Sequence, residues 1–309
     1  MAPNGPALFG AAAVLVAGVT AVLNLDTSVV FLTPVLVYAA RSRGSVPTSL
    51  LIVCILISNA GSLLLPGSNL SNLIVLGHLH LSGGGFAARM VLPWLGSFLV
   101  TAVVVGIVEH RELRTTAIRP TLPREPMVVG LGVAAVIVAV VCVVVLRNAA
   151  VPVALVGLGA VTVRVVGGKQ RIGHVGEILG VPVLVGLFGL AVALGTLGRS
   201  WSGPSTILSH LGAPATTAFA AVASVVVNNL PAAALLAART PPHPFALLIG
   251  LDVGPNLFVT GSLAWVLWVR TTRVAGCRPP VIRAVVLGLV SAPLAMVAAL
   301  GLLGVTGAR

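Results

Sequence analysis

A chain of 309 residues that is 58% hydrophobic and only 8% charged, with a mean hydropathy of +1.12, cannot cover the surface of a soluble domain, which carries roughly 25% charged residues. The net charge of +12 could serve a nucleic acid, but the basic residues sit in short loops between apolar runs. There they read as topology signals of an all-α, multi-pass protein of the cell membrane, with the lipid bilayer as its solvent and no nucleic acid as partner. A transmembrane β-barrel is excluded as well, because barrel strands alternate polar and apolar residues and these runs do not.

In chain order the apolar segments fall at 7–23, 28–40, 48–77, 86–108, 127–146, 151–166, 178–197, 206–227, 231–238, 245–269 and 284–305. No basic leader or cleavage site precedes the first, so no signal peptide is read. A helix needs about 20 residues to cross the hydrocarbon, and several segments are shorter or are interrupted. Four interruptions stand out: "NLDT" at 24–27, "SNAGSLLLPGSNLSN" at 58–72, "NNLP" at 228–231, and "DVGPN" at 252–256 followed by "TGS" at 260–262. Non-helical backbone in lipid leaves N–H and C=O groups unpaired, so it survives only inside protein or beside a watery cavity. Interrupted hydrophobic segments in corresponding halves mark the binding site of a transporter.

The interruptions recur in the same order. Segments 7–40 and 206–238 each read as a re-entrant hairpin, 48–77 and 245–269 as broken helices, and 86–108 and 284–305 as clean spans. This divides the chain into a partial first repeat, residues 1–126, and a second repeat, residues 127–309, in which three spanning helices precede the hairpin. Repeat symmetry then predicts about three further helices ahead of the first hairpin, supplied by a longer start, by another chain, or lost. With both hairpins re-entrant, the loops holding Arg41, Arg43, Arg111, Arg114, Arg119, Arg124, Arg164, Lys169, Arg171, Arg270, Arg273, Arg278 and Arg283 share one side, and Arg89, Arg147, Arg199, Arg239 and Arg309 the other. That bias places the first side in the cytoplasm and makes the repeats inverted in topology.

Half-helix N-termini attract anions, freed carbonyls attract cations, and an Asn side chain offers both a donor and an acceptor. The candidate substrate or ion ligands are therefore Asn24, Asp26 and Thr27 from the first tip, and Ser68, Asn69 and Asn72 from the first break. Asn228 and Asn229 come from the second tip, and Asp252, Asn256, Thr260 and Ser262 from the second break. Asp26 and Asp252 are the two carboxylates expected at membrane depth; Glu109, Glu112, Glu125 and Glu177 fall in or beside loops. A carboxylate held in the membrane is costly and suits a proton carrier or a Na⁺ ligand. The alternative is that each Asp caps its own broken helix.

Other features carry less. His78 and His80 read as a solvated loop, Cys54 as apolar filler, and Gly83–Gly85 as a flexible loop without the Lys-Ser/Thr of a phosphate cradle. Trp94, Trp201, Trp265 and Trp268 read as interface anchors or packing. Cys54, Cys142 and Cys277 lack metal-ligand spacing and imply no disulfide framework. There is no nucleophile–base constellation, so no enzyme, cofactor or metal is expected.

At the interruptions the sequence resembles the arsenite-efflux permeases of the ArsB type, within the ion-transporter superfamily that also holds citrate and divalent-anion carriers and Na⁺/H⁺ antiporters. "LDTSVVFLTP" resembles the pattern N-D-G-x-x-L-x-L-T-P, and "SNAGSLLLPGSNLSNLIV" resembles A-N-x-A-S-L-x-L-P-x-S-N-L-x-N-L. "VVNNLPAAALL" resembles the second tip, and "GLDVGPNLFVTGSLAWVLW" the last block, G-x-D/N-x-G-P followed by G-S-L-A-x-x-L-W. Leu25 stands where the pattern has Asn, Thr27 where it has Gly, and Phe258-Val259 where it has Thr-Pro. The resemblance implies a carrier with inverted repeats that expels arsenite or antimonite, driven by membrane potential or a proton gradient. It also implies, in some relatives, an ATPase subunit; a homodimer is a further assembly to test. Arsenous acid is neutral at pH 7, which suits a site of Asn, Ser and Thr without Lys or Arg. A citrate or dicarboxylate carrier, a Na⁺/H⁺ antiporter, and a non-transporting or split-transporter subunit stay open as alternatives.

Overall fold

A computed structural model describes residues 5–77, 79, 81–114, 134, 135, 137–139, 141, 142, 150–167 and 181–306. Among these residues all regular structure is helical, as expected where apolar runs must satisfy their own backbone groups. Contacts divide the chain into two compact units, residues 1–122 with 186–309 and residues 123–185. The second unit holds α6 (Ala150–Val166), and the described residues between 134 and 142 are also helical. The rest of the 127–146 span lies outside the described residues, as do His78, His80, Arg119, Arg124, Glu125, Arg147, Lys169, Arg171, Glu177 and Arg309.

The first unit opens with a helix pair, α1 (Gly5–Leu23) and α2 (Leu25–Arg41), hinged at Asn24. The broken segment follows as α3 (Thr48–Gly61), a 3-10 turn at Pro66–Ser68, and α4 (Leu70–Leu76). The long helix α5 (Gly83–Arg114) comes next. After α7 (Val181–Ser200) and α8 (Gly203–Ser209), a second pair, α9 (Ala213–Val227) and α10 (Asn229–Leu236), hinges at Asn228. The second break consists of α11 (Pro244–Val253), a 3-10 turn at Gly254–Leu257 and α12 (Leu263–Val274), and α13 (Val281–Val305) closes the chain. Four described helices are long and apolar enough to cross a membrane: Gly5–Leu23, Gly83–Leu113, Pro182–Ser200 and Val281–Val305.

Two expectations change. The 206–227 arm is divided, because Gly212 caps α9 with Pro214 in its first turn. Proline cannot continue the preceding helix but is suited to start a new one. Gly83–Gly85 form the first turn of α5 and not a loop. Ser82 Oγ accepts the Gly85 N–H at 3.1 Å, a cap that offsets the poor helix propensity of three glycines.

Packing relates the two halves. Helix α1 lies on α3 and α9 on α11, while α2 lies on α12 and α10 on α4. The long helices α5 and α13 pack antiparallel: Arg283 at the start of α13 meets Glu109 (Nε–Oε1 2.8 Å) and Glu112 near the end of α5, and Gly96 of α5 sits against Ala298 and Leu302. Glu109, read from the sequence as beside a loop, is buried here and also accepts from Ser49 Oγ at 2.6 Å. The pairs about the tips are unequal. At 1.5 Å per residue, α1 and α2 are about 28 and 26 Å long, α9 and α10 about 22 and 12 Å. Trp265 and Trp268 of α12 are fully buried and form a T-shaped pair, whereas Trp201 is exposed.

Candidate functional site: two crossed helix breaks

The tips share one backbone solution. Asn24 (φ 118°, ψ 149°) and Asn228 (φ 77°, ψ 149°) are the only non-glycine residues with positive φ among those described. At ψ 149° neither lies in the left-handed helical region that Asn tolerates; both fall in an extended, positive-φ region that costs a non-glycine residue about 1–3 kcal/mol and persists only where the surroundings hold it. Each side chain accepts an N–H two residues on, from Asp26 at 2.9 Å and from Leu230 at 3.4 Å, and so caps the second arm.

Each tip leans on its own break through matching contacts. Asn24 Nδ2 donates to Gly67 O at 3.5 Å, and Asn228 Nδ2 to Thr260 O at 3.1 Å. Gly67 and Thr260 both lie two residues before the residue that caps the break's second helix, Asn69 for α4 and Ser262 for α12. Seven residues before each tip an alanine meets a glycine. A Cβ on Gly61 would stand 3.3 Å from Ala17 Cα, and one on Gly254 would stand 2.6 Å from Ala221 Cα. Gly61 and Gly254 both lie eight residues before the capping residue. Small residues at these points let backbones approach closely in the absence of a hydrophobic driving force.

The breaks then bond to one another crosswise. Ser262 Oγ donates to Asn59 Oδ1 at 3.0 Å, and Asn69 Nδ2 donates to Asp252 Oδ1 at 2.9 Å. Asn59 stands ten residues before Asn69, and Asp252 ten residues before Ser262. The same two positions of each break are thus joined reciprocally, the last turn of one first helix to the cap of the other second helix. Asn256 adds a third link: it accepts from Asn59 Nδ2 at 2.9 Å and donates to Leu56 O at 2.9 Å. Trp265 Nε1 closes the second break by donating to Pro255 O at 2.8 Å.

Most of the sequence-predicted residues assemble here. Asn69, Asn72, Ser68, Asp252, Asn256 and Ser262 are buried at the crossing. Ser68 Oγ donates to Ser62 O and to Leu65 O at 2.6 Å, so it holds the first break's own backbone. Asn72 Nδ2 donates to Ser62 O at 2.8 Å and Leu65 O at 3.1 Å. Asn229 is buried, with its N–H on Gly261 O at 2.9 Å. Thr260 is exposed and its Oγ1 donates to Val225 O at 2.5 Å, while Thr27 is exposed on the first turn of α2.

The two aspartates sit at opposite ends of their helices, and each keeps one buried carboxylate oxygen without a hydrogen-bond partner among the described residues. Asp26 is in the first turn of α2, where the helix dipole favours a carboxylate. It is not the cap, a role taken by Asn24. Asp252 is next to last in α11, at the unfavourable end of that dipole, and is fully buried. It caps no helix N-terminus, so the capping alternative fails for both residues as it was framed.

Asn59 and Ser62 belong to the site and were not singled out. The signal for Asn59 was its distance from Asn69, which equals that of Asp252 from Ser262. Among the described residues no group of three or more His, Cys, Asp or Glu could hold a metal ion.

A family model described as "Citrate transporter" (CitMHS) matches residues 1–269. No curated protein matches the chain, and no solved structure does.

Proposed function

We propose, from the premise that this chain belongs to the citrate transporter family, that the membrane carrier so identified moves a small polycarboxylate of the citrate class through the crossed breaks. The observation that carries this reading is the gathering of helix starts around the crossing. Helices α2, α10 and α12 begin at Asn24, Asn228 and Ser262, each beside a break, and the two breaks are bonded together. Helix starts offer N–H groups and a partial positive charge, which suits carboxylates. The cross-bonds and matching contacts support two inverted repeats, with the Arg-rich ends of α2, α12 and α5 on the cytoplasmic side. Arg41 ties the ends of α2 and α12 together by donating to Ala275 O at 3.1 Å and Gly276 O at 2.8 Å.

A second reading, arsenite or antimonite efflux, has one observation in its favour. The side chains bonded at the crossing are amides, hydroxyls and one carboxylate. Neutral arsenous acid needs no cationic partner. Uptake into everted vesicles, with and without a pH gradient, separates the two. Accumulation of citrate over arsenite supports the first reading, and arsenite alone transfers the site to the second. Movement of Na⁺ alone makes the protein an antiporter, and no flux of any of the three returns it to a scaffold role.

A further inference from the structure

At the crossing the two halves differ in charge at one position: Asn59 is an amide where Asp252 is a carboxylic acid. Asn59 has both polar atoms partnered, with Nδ2 on Ile55 O at 3.2 Å and on Asn256, and Oδ1 receiving Ser262. Asp252 does not. Its Oδ1 accepts from Asn69, but its Oδ2 is buried and has no hydrogen-bond partner among the described residues. A second orphan lies in the same cluster. Asn72 Oδ1 is buried without a donor, and the two carbonyls facing Nδ2 fix which way that amide points. Ser62 joins the two side chains, since Asn69 Nδ2 donates to Ser62 Oγ at 3.3 Å and Asn72 Nδ2 to Ser62 O.

No fixed cation answers this carboxylate. Of the elements packed against α11, α4, α9, α10 and the 3-10 turn at Gly254–Leu257 carry no charged side chain, and α3 carries only the Cys54 thiol, bonded to Thr33 at 3.6 Å. On α5, Arg89 stands over the Phe245 ring, two turns from Asp252, and the far end of that helix carries Glu109, His110, Arg111, Glu112 and Arg114. On α13, Arg283 pairs with Glu109 and Glu112 at that same far end. Two buried acceptors with no donor, at the C-terminal end of a half-helix, call for one positive charge from outside the chain.

Resting on the reading of the crossing as the transport site, we infer that Asp252 Oδ2 binds the coupling cation, a proton or Na⁺, with Asn72 Oδ1 as the adjoining acceptor.

Infrared difference spectra of the purified full chain, without substrate, test this. A pH step and a Na⁺ step are applied to wild type, Asp252→Asn and Asp26→Asn. The expected result is a carboxyl signal that responds to one of the two steps, is lost in Asp252→Asn and persists in Asp26→Asn. A response to pH identifies the proton and a response to Na⁺ identifies sodium. Asp252→Asn keeps an acceptor for Asn69, and Asp252→Glu, which keeps the charge, is expected to shift the signal without abolishing it. A signal unchanged in Asp252→Asn, or no signal in wild type, overturns the inference. Citrate uptake is measured on the same preparation. Absence of citrate uptake with the Asp252 signal intact removes the substrate reading and leaves the cation site standing.

Discussion

The first and second breaks use the same positions for different ends. In the first, Asn59 has both side-chain polar atoms partnered, one N–H within its own helix and the rest across the crossing. In the second, Asp252 makes the same cross-bond and keeps one buried oxygen spare. The tips show the reverse asymmetry, because the first carries Asp26 at a helix start where a carboxylate is favoured, and the second has Leu230 at the equivalent place after the Asn. One carboxylate per half, set at opposite ends of a helix dipole, indicates that a symmetric frame has been given an asymmetric charge.

The sharpest way to break that comparison is to neutralise each carboxylate in turn. Asp252→Asn is expected to lower the pH- or Na⁺-driven transport rate by about 100-fold, the equivalent of ~2.7 kcal/mol, with membrane insertion unchanged. Asp26→Asn is expected to stay within about threefold of wild type, in line with the ~0.3–1 kcal/mol of a dipole interaction. Equal losses in initial-rate assays would erase the distinction between the two halves.

Packing offers a smaller test. Gly254→Ala places a methyl 2.6 Å from the Ala221 backbone and is expected to destabilise by ~1–3 kcal/mol. Gly61→Ala meets Ala17 at 3.3 Å and is expected to cost less than about 1 kcal/mol. Thermal unfolding in detergent reads the order, and a greater loss at Gly61 would contradict the matched contacts. The smallest effect is expected at the tips: Asn24→Gly and Asn228→Gly keep the positive φ and lose the cap, costing only a few tenths of a kcal/mol by the same assay.

The sequence made the interruptions legible because their residues act locally. Asn before Leu starts α2, α4 and, after Asn228, α10, and Pro66 and Pro255 mark the 3-10 turns. The same local logic, applied to Gly212 and Pro214, separates α8 from α9, and Ser82 explains why the three glycines open a helix. Partner identity across the crossing was not legible. Asn69 meets Asp252 and Asn59 meets Ser262 across 183 and 203 residues of chain, and no short-range pattern encodes such pairs. Asn59 therefore passed as part of a break and not as the counterpart of Asp252. Substrate identity is still further from the residues, since amides and hydroxyls serve a carboxylate and arsenous acid alike.

The central claim is that the tips and the crossed breaks together enclose the cargo. Thr27→Cys and Thr260→Cys, each exposed beside one tip and one break, can be introduced separately after removal of Cys54, Cys142 and Cys277, and alkylated with and without citrate. At citrate ten times its Kd, alkylation of both cysteines is expected to slow by about tenfold. Unchanged alkylation at both positions in a variant that still transports citrate would contradict the account.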